Sequence, residues 1–387
     1  MAAAETLGTA LQFLPHGSPD TAANVLLRAA AAGGVSFGVA LAIGPFVVRW
    51  LKRLRTGDTV EKIDSIKLAE LTKGKKDTPT MGGVMFLPAL VLAVALCGNL
   101  DNPYVLHALL GTIGFCLIGM IDDVLKLTRL RREAAGAPKA KSGVPGRVKM
   151  AFQVAVAAAL GFALLTTMKL RAADADELRK LLSITVPFSD ARIDLSWGGG
   201  WLFVAFATLI MVGTSNAVNL TDGLDGLAPG CIVFAAAAFA GIAYAVGRSD
   251  FAQHWSFLYV RGAQEMAVVA AALAGAALAF LWFNAYPAQV FLGDTGSLAL
   301  GGLLGYIACV LKQELVLPIV GGVFVVEALS VILQVASFKS TGRRIFKCAP
   351  LHHHFQFGGM HEVKIVTRFW IAAALCALLG LATLRFT

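Results

Sequence analysis

Runs of apolar residues alternate with short polar segments along almost the whole chain. Most of these runs approach the roughly twenty residues that an α-helix needs to cross the hydrocarbon core of a bilayer. The pattern predicts about ten membrane-spanning helices. The predicted spans lie at 24–50, 82–98, 104–121, 148–168, 199–218, 228–247, 265–283, 295–311, 314–338 and 366–385. Between the fourth and fifth spans, we expect a short helix at 172–182 and a β-prone piece at 184–195.

The composition agrees with an all-α integral membrane protein. Of the 387 residues, 57% are apolar and only 15% are charged, which is too apolar a balance for a soluble domain. We predict one polytopic membrane domain over residues 1–387. No internal repeat is evident, which weakens the alternative of a secondary transporter built from inverted repeats.

The loops between the predicted spans differ sharply in their content of Lys and Arg. Loops 51–81, 125–149 and 339–368 carry twenty-two such residues, against eight on the opposite side. Because basic loops tend to stay in the cytoplasm, we expect the first side to be cytoplasmic and both termini to be periplasmic. This asymmetry, with contact to anionic membrane lipids, accounts for the net charge of +9, so we expect no nucleic-acid partner.

Five polar segments lie near the ends of apolar runs, and all of them fall on the predicted cytoplasmic side. They are residues 73–83, 119–126, 216–228, 284–297 and 348–356. Ionisable groups at the edge of hydrocarbon are costly unless they have a task. We therefore expect the five segments to form one polar active site at the cytoplasmic membrane surface.

Two of these segments present acids in patterns that suit catalysis. Asp122 and Asp123 close the third predicted span, where acids oppose the helix dipole. One of them could act as a general base or a metal ligand, and the alternative is a solvated helix terminus. Asp222 and Asp225 are three residues apart and share one face if the segment is helical, whereas a tight turn is the alternative.

Segment 284–297 combines an aromatic ring, an acid and the start of the next span. Phe291 offers a stacking surface, and Asp294 is a candidate metal ligand. Backbone N–H groups at the start of a helix favour phosphate. A carboxylate beside a phosphate site usually implies Mg²⁺, which binds a few carboxylates together with substrate oxygens.

The histidine triplet 352–354 favours hydrogen bonding to phosphate, with a transition-metal tract or a surface cluster as alternatives. Lys75 and Thr80 would suit a phosphate site. The alternative is that the basic residues of this segment serve only membrane topology and that Gly82 and Gly83 give flexibility at the helix start. In the ninth span, Glu327, Ser330 and Gln334 form one polar stripe. Such a stripe faces the bundle interior or a cavity, and it serves either helix–helix hydrogen bonds or a substrate.

Together these segments closely resemble the phospho-N-acetylmuramoyl-pentapeptide-transferase family, within the polyprenyl-phosphate N-acetylhexosamine-1-phosphate transferase superfamily. The resembling stretches, in order, are KKDTPTMGG at 75–83, DD at 122–123, NAVNLTDGLDGLA at 216–228, FNAYPAQVFLGDTGSLALGG at 283–302, VEALSVILQ at 326–334 and APLHHHFQ at 349–356. The sequence departs from the family at Gln356, where an acid usually follows the histidines.

The resemblance implies a reaction at a bacterial cytoplasmic (inner) membrane. UDP-N-acetylmuramoyl-pentapeptide and undecaprenyl phosphate would give lipid I and UMP, with Mg²⁺, in the first membrane step of peptidoglycan synthesis. The N-acetylglucosamine branch of the superfamily is the closest alternative, and a secondary transporter is a distant one. Pairing of two copies into a homodimer stays open, because no distinctive interface motif is evident.

The resemblance also implies roles for particular residues. Asp294 corresponds to the Mg²⁺ ligand, and the implied catalytic residues are Asp122, Asp123, Asp294 and His353. The implied substrate-binding residues are Lys75, Thr80, Asn216, Asn219, Asp222, Asp225, Asn284, Phe291, Ser297, Gln334, His352 and His354. One acid would deprotonate the lipid phosphate or attack first as a nucleophile, and the sequence leaves these two mechanisms open.

Overall fold

The computed structural model describes residues 22–54, 75, 78–134, 143–189, 191–251 and 258–385. The longer helices are α1 (Ala22–Arg53), α2 (Gly83–Cys97), α3 (Pro103–Ala134), α4 (Gly146–Arg171), α6 (Trp201–Thr221), α7 (Leu227–Val246), α8 (Glu265–Asn284), α9 (Gly293–Val310), α11 (Gly322–Thr341) and α13 (Glu362–Ala382). The shorter elements are α5 (Ala175–Leu181), β1 (Ser183–Thr185), β2 (Arg192–Asp194), α10 (Leu317–Val320) and α12 (Leu351–Phe357), with 3₁₀ turns at Trp197–Gly200 and Thr383–Arg385.

Within these described ranges, nine helices are long and apolar enough to cross a membrane. The helix α2 is also apolar but has only 15 residues. Each of the ten predicted spans overlaps one of these helices, so the prediction of an all-α, multi-pass membrane protein is confirmed. The direction in which the bundle crosses the membrane stays a prediction.

The helix α9 lies at the centre of the bundle, where every residue from Thr295 to Val310 is buried. It packs against α3, α6 and α2. Its sequence is rich in Gly and Ala, and small residues let helix backbones approach closely inside a membrane. The first turn of this central helix carries Asp294, so the bundle fixes the position of that carboxylate.

Two predicted boundaries were wrong. Asp122 and Asp123 were expected at a helix end, but α3 continues to Ala134, because Leu, Lys and Arg are good helix formers. The two acids therefore lie inside a helix, and the argument from the helix dipole does not apply. The ninth span, expected as one helix over 314–338, is interrupted at Gly321, which separates α10 from α11.

The segment between α4 and α6 folds as predicted. The side chain of Asp174 accepts a hydrogen bond from the N–H of Glu177 and caps α5. The strands β1 and β2 then form an antiparallel pair in which Ile184 lies opposite Ile193. A short helix followed by a β-prone piece is thus confirmed.

Candidate active site

Three carboxylates meet where α3 crosses the first turn of α9. Ligand oxygens of Asp122, Asp123 and Asp294 all lie within 4.8 Å of one another. The first two side chains are buried, and the third is partly accessible. Like charges this close repel each other, so the cluster needs cationic partners or hydrogen-bond donors.

The close packing of α2 and α3 against the start of α9 depends on glycine. A Cβ atom added at Gly119 would lie 2.0 Å from the carbonyl oxygen of Asp294, and one added at Gly83 would lie 2.4 Å from the backbone nitrogen of Gly296. Both contacts are with backbone, which cannot swing away. The close approach of α2 and α3 to α9 therefore requires glycine at these two positions.

We expect Gly119→Ala to destabilise the protein by about 1–3 kcal/mol or more, because the added methyl group forces α3 and α9 apart. Turnover should fall with it, since the carboxylates lie at this crossing. Thermal unfolding in detergent and activity together measure the effect. Gly213→Ala in α6 is the matched control, because a Cβ there meets nothing within 4 Å. Equal stability of the two variants would contradict the packing argument.

Asp123 holds the start of α9. One carboxylate oxygen accepts hydrogen bonds from the backbone N–H of Thr295 at 2.9 Å and from its hydroxyl at 2.7 Å. The other oxygen lies 3.4 Å from the backbone nitrogen of Asp294. The first N–H groups of a helix have no partner inside the helix. Asp123, which lies in α3, supplies an acceptor for these N–H groups and so ties α9 to α3.

Two lysines complete the cluster. The Lys126 ammonium lies 2.6 Å from Asp122 and 3.1 Å from Asp294, and that of Lys149 lies 2.7 Å from Asp294 and 3.5 Å from Asp122. In the sequence both lysines counted only toward membrane orientation. The spacing of four residues between Asp122 and Lys126 could have indicated that pair. Nothing local pointed to Lys149, which follows a separate loop.

The helix α6 contributes amides to the same region. Asn219 donates to Asp294 at 2.9 Å and to the hydroxyl of Ser297 at 2.7 Å, so both predicted residues join the cluster. Asn216, one turn earlier, donates instead to Gln153 of α4 at 2.9 Å. Its contacts therefore fix the packing of α6 against α4 and lie outside the carboxylate cluster.

A second ionic cluster surrounds Lys75. Its ammonium lies 2.6 Å from both Asp225 and Glu362. Glu362 also accepts from the backbone N–H of Asp225 at 2.8 Å, and the free oxygen of Asp225 accepts from Ala288 at 3.0 Å. The sequence did not single out Glu362, because it is an isolated acid at the start of α13. Asn284 lies beside this cluster and accepts from the N–H of Gly226 at 2.9 Å.

Asp222 lies between the two clusters. Burial raises its pKa to about 8, and the nearby charges of Asp294 and Asp123 act in the same direction. Asp222 therefore gives up its proton less readily than an ordinary carboxyl group, although the backbone N–H of Gly293 acts in the opposite direction. Thr80 lies close to the start of α9. Its hydroxyl oxygen would be 2.8 Å from a Cβ atom added at Gly293.

Phe291 is held by its backbone. Its N–H donates to Pro79 at 2.7 Å, and its carbonyl accepts from Gly82 at 2.8 Å. The residue follows Asn284 and precedes Asp294, so the loop 285–292 connects the second cluster to the first. The ring is partly accessible, as a stacking role requires.

The histidine triplet forms the short helix α12. His352 is fully buried and pairs with Glu327, His353 pairs through Nδ1 with Gln356 at 2.8 Å, and His354 accepts from the N–H of Lys347 at 3.1 Å. Gln356, which departs from the family pattern, thus orients His353 without a charge.

Gln334 serves the backbone. Its amide accepts from the N–H groups of Ile345 and Phe346 and donates to the carbonyl of Phe346 at 3.0 Å. These bonds order the turn that follows α11. All three hydrogen bonds of the Gln334 amide therefore go to this turn. A substrate-binding role for Gln334 stays a prediction.

The imidazole of His353 is neutral at ordinary pH. Burial lowers its pKa to about 4, and the nearby His352 and Lys75 add to the effect against the opposing contact with Gln356. A lowered histidine pKa means that the ring gains its proton only when the pH falls through about 4. His353 can therefore donate or accept one hydrogen bond at neutral pH but carries no charge.

We expect the ratio of the turnover rates of the unsubstituted chain and His353→Ala to stay constant between about pH 7.5 and about pH 5.5, where an unperturbed histidine would titrate. Because the ratio cancels protonation of the substrates, it reports on His353 alone. Steady-state rates at matched pH values measure it. A ratio that declines with an apparent pKa near the ordinary histidine value would show that the ring is charged in the working enzyme.

The chain is similar to known proteins over most of its length. The chain matches the model of glycosyl transferase family 4 over residues 105–312 and phospho-N-acetylmuramoyl-pentapeptide-transferase signature 1 over residues 75–87. Two proteins named phospho-N-acetylmuramoyl-pentapeptide-transferase, from Rhodopseudomonas palustris strains BisB18 and BisA53, are each 49% identical over 312 residues, covering 80% of this chain and 81% of the relative. The chain therefore belongs to glycosyl transferase family 4 and, within it, to the phospho-N-acetylmuramoyl-pentapeptide-transferases.

Proposed function

We propose that the protein transfers phospho-N-acetylmuramoyl-pentapeptide from its UDP-linked donor to undecaprenyl phosphate, giving lipid I and UMP. Family membership supports this, and the observation that carries it is the cluster of three carboxylates within 4.8 Å, flanked by Lys126 and Lys149. Transfer between a pyrophosphate and a lipid phosphate brings anions together, so the site must supply cationic charge. The names of the relatives favour the muramoyl donor over the N-acetylglucosamine donor.

The carboxylates fit a magnesium ion. Mg²⁺ prefers oxygen ligands and is usually held by one or two carboxylates together with substrate phosphates. We assign Asp294 as its ligand, because Asp123 already accepts two hydrogen bonds from Thr295 and Asp122 is assigned below as the general base. A bound Mg²⁺ would offset the negative charge of the reacting phosphates. The ammonium groups of Lys126 and Lys149 would then exchange carboxylate oxygens for phosphate oxygens.

The remaining groups divide between the two substrates. Asp122 is assigned to take the proton of the lipid phosphate, since it lies in the carboxylate cluster at the membrane surface. The cluster around Lys75, together with Asp222, is assigned to the nucleotide and phosphates of the donor. His353 contributes a neutral hydrogen bond. Asp225 and Glu362 keep the lysine in place until an anionic substrate replaces them.

The chain is a multi-pass membrane protein, and we assign it to the bacterial cytoplasmic membrane with the site facing the cytoplasm and both termini in the periplasm. The excess of Lys and Arg on the loops beside the site supports this orientation. A soluble nucleotide donor would then reach the site from the cytoplasm, and a lipid acceptor would reach it from the bilayer.

The direct test is UMP release by purified protein from UDP-N-acetylmuramoyl-pentapeptide, with and without undecaprenyl phosphate and with and without Mg²⁺. Release should require both. A lipid product formed only from UDP-N-acetylglucosamine would replace our choice with the other branch of the superfamily. Exchange of labelled UMP into the donor without the lipid would favour a covalent intermediate over a single displacement.

Phe291→Ala is expected to raise the KM for the nucleotide donor by about 10-fold with little change in kcat, since one stacking contact on a base contributes about 1–3 kcal/mol. Steady-state kinetics with varied donor measure the effect. Tyr286→Ala, a change of a half-exposed ring in the same loop, is the matched control. A fall in kcat without a change in KM would exclude stacking on the uracil.

A further inference from the structure

A carboxylate inside the membrane-spanning part of α11 holds the histidine helix. Both oxygens of Glu327 contact the same residue of α12: the backbone nitrogen of His352 lies 3.1 Å from Oε1, and its Nδ1 lies 3.0 Å from Oε2. Both side chains are fully buried. A buried carboxylate is costly unless it is paired, so this contact fixes the backbone and the ring of His352 together.

The other side of the same imidazole presses against the segment that carries Asp222 and Asp225. A Cβ atom at Gly223 would lie 2.1 Å from Nε2 of His352, so only glycine fits there. This nitrogen is buried and has no hydrogen-bond partner among the described residues. The ring thus acts as a spacer between α11 and the loop that follows α6.

His353 depends on the same anchor. It is the next residue of α12, and its ring centroid lies 4.1 Å from that of His352. The helix α12 has only seven residues. A helix this short is not stable by itself in water, so its position is set by its tertiary contacts.

We infer that Glu327 is a positioning residue for the transfer reaction: through His352 it sets the distance between His353 and the loop that carries Asp222. The inference rests on the proposed function, because its kinetic readout is lipid I formation. The sequence alone left the polar stripe of α11 open between helix packing and a substrate role. The geometry points to a third role, in which Glu327 acts on the site through the histidine helix.

The test is a double-mutant cycle between Glu327→Gln and His353→Ala. Gln keeps the size of the side chain but turns an N–H group toward His352 in place of an acceptor. We expect kcat to fall about 10- to 100-fold, as a displacement of about 1 Å in a catalytic group implies. In the His353→Ala background the same change should cost less than about threefold, because effects transmitted through one group are not additive.

Equal losses in both backgrounds would show that Glu327 merely stabilises the bundle and would overturn the inference, as would unchanged turnover in Glu327→Gln. Ser330→Ala is the matched control: its hydroxyl is buried in the same helix and, among the described residues, bonds only to the carbonyl of Glu327. If Glu327→Gln does not fold, Glu327→Asp keeps the charge, shortens the reach and is carried through the same cycle.

A second readout does not need the reaction and therefore separates this inference from the proposed function. Diethyl pyrocarbonate modifies accessible histidines, and mass spectrometry identifies them. His352 should be protected in the unsubstituted chain and modified in Glu327→Gln. Protection in both proteins would overturn the anchoring role, whereas absence of UMP release from the unsubstituted chain would count against the proposed function alone.

Discussion

Asp294→Asn is expected to abolish Mg²⁺-dependent turnover while the protein still folds. The change removes the charge of the carboxylate that both Lys126 and Lys149 contact and that Asn219 orients. The electrostatic contribution of a bound metal is several kcal/mol, so its loss corresponds to a decrease of about 10³-fold or more in kcat. Asn fits the same space, and the backbone contacts of α9 with α3 stay in place.

UMP release at increasing Mg²⁺ concentration measures this effect, with the elution profile in detergent as a check on folding. Asp194→Asn is the matched control, because it is the same isosteric change in the exposed segment before α6, where the acid pairs with Arg179 and accepts from the backbone N–H of Ser196. Activity of Asp294→Asn that recovers fully at high Mg²⁺ would indicate an outer-sphere role. Undiminished activity would remove Asp294 from the metal site.

The neighbouring acids should separate into two kinds of loss. Asp122→Asn is expected to lower kcat by about 10²–10⁴-fold, the usual contribution of a general base. Because Asp122 is buried, accepts from the backbone N–H of Val144 at 2.6 Å and pairs with Lys126, some loss of thermal stability should accompany the change. Asp123→Asn should also lose stability, by about 1–3 kcal/mol, because an Asn whose oxygen accepts from Thr295 turns its NH₂ group toward the backbone N–H of Asp294, which the second carboxylate oxygen faces at 3.4 Å. Each variant therefore tests a different role for two adjacent residues.

Turnover and thermal unfolding of both variants decide between these roles. If Asp122→Asn changes only the KM for the donor, it binds the nucleotide and is not the base. If Asp123→Asn unfolds at the same temperature as the unsubstituted chain, its hydrogen bonds to α9 contribute nothing to stability. Release of UMP with a pre-deprotonated lipid phosphate at high pH should partly restore Asp122→Asn, because the missing base is then no longer needed.

The spans and the convergence of the polar segments were predictable, because both follow from hydropathy and from the cost of charge near hydrocarbon. Asp294 and Asp225 were found in this way, since each stands in a Gly- and Asn-rich segment between apolar runs. Lys149 and Glu362 were not, because each is a single charged residue in an ordinary context. Their partners come from distant helices, and only the tertiary structure brings the pairs together.

The error at Asp122 has the same origin. An apolar run ends where the hydrocarbon ends, whereas a helix ends where its backbone hydrogen bonds end. In α3 these two limits differ, because the helix continues to Ala134. The pairing of Glu327 with His352 also escaped prediction, although both residues were noted separately. Sequence patterns identified the unusual residues. The packing of the helices decides which of these residues are in contact.

The glycine contacts at the crossing of α2, α3 and α9 have a consequence for drug resistance. Any side chain at Gly119 or Gly83 collides with backbone, so few substitutions at these positions leave a working enzyme. An inhibitor that depends on the backbone positions set by this crossing would therefore leave few routes of escape through substitution at these two glycines.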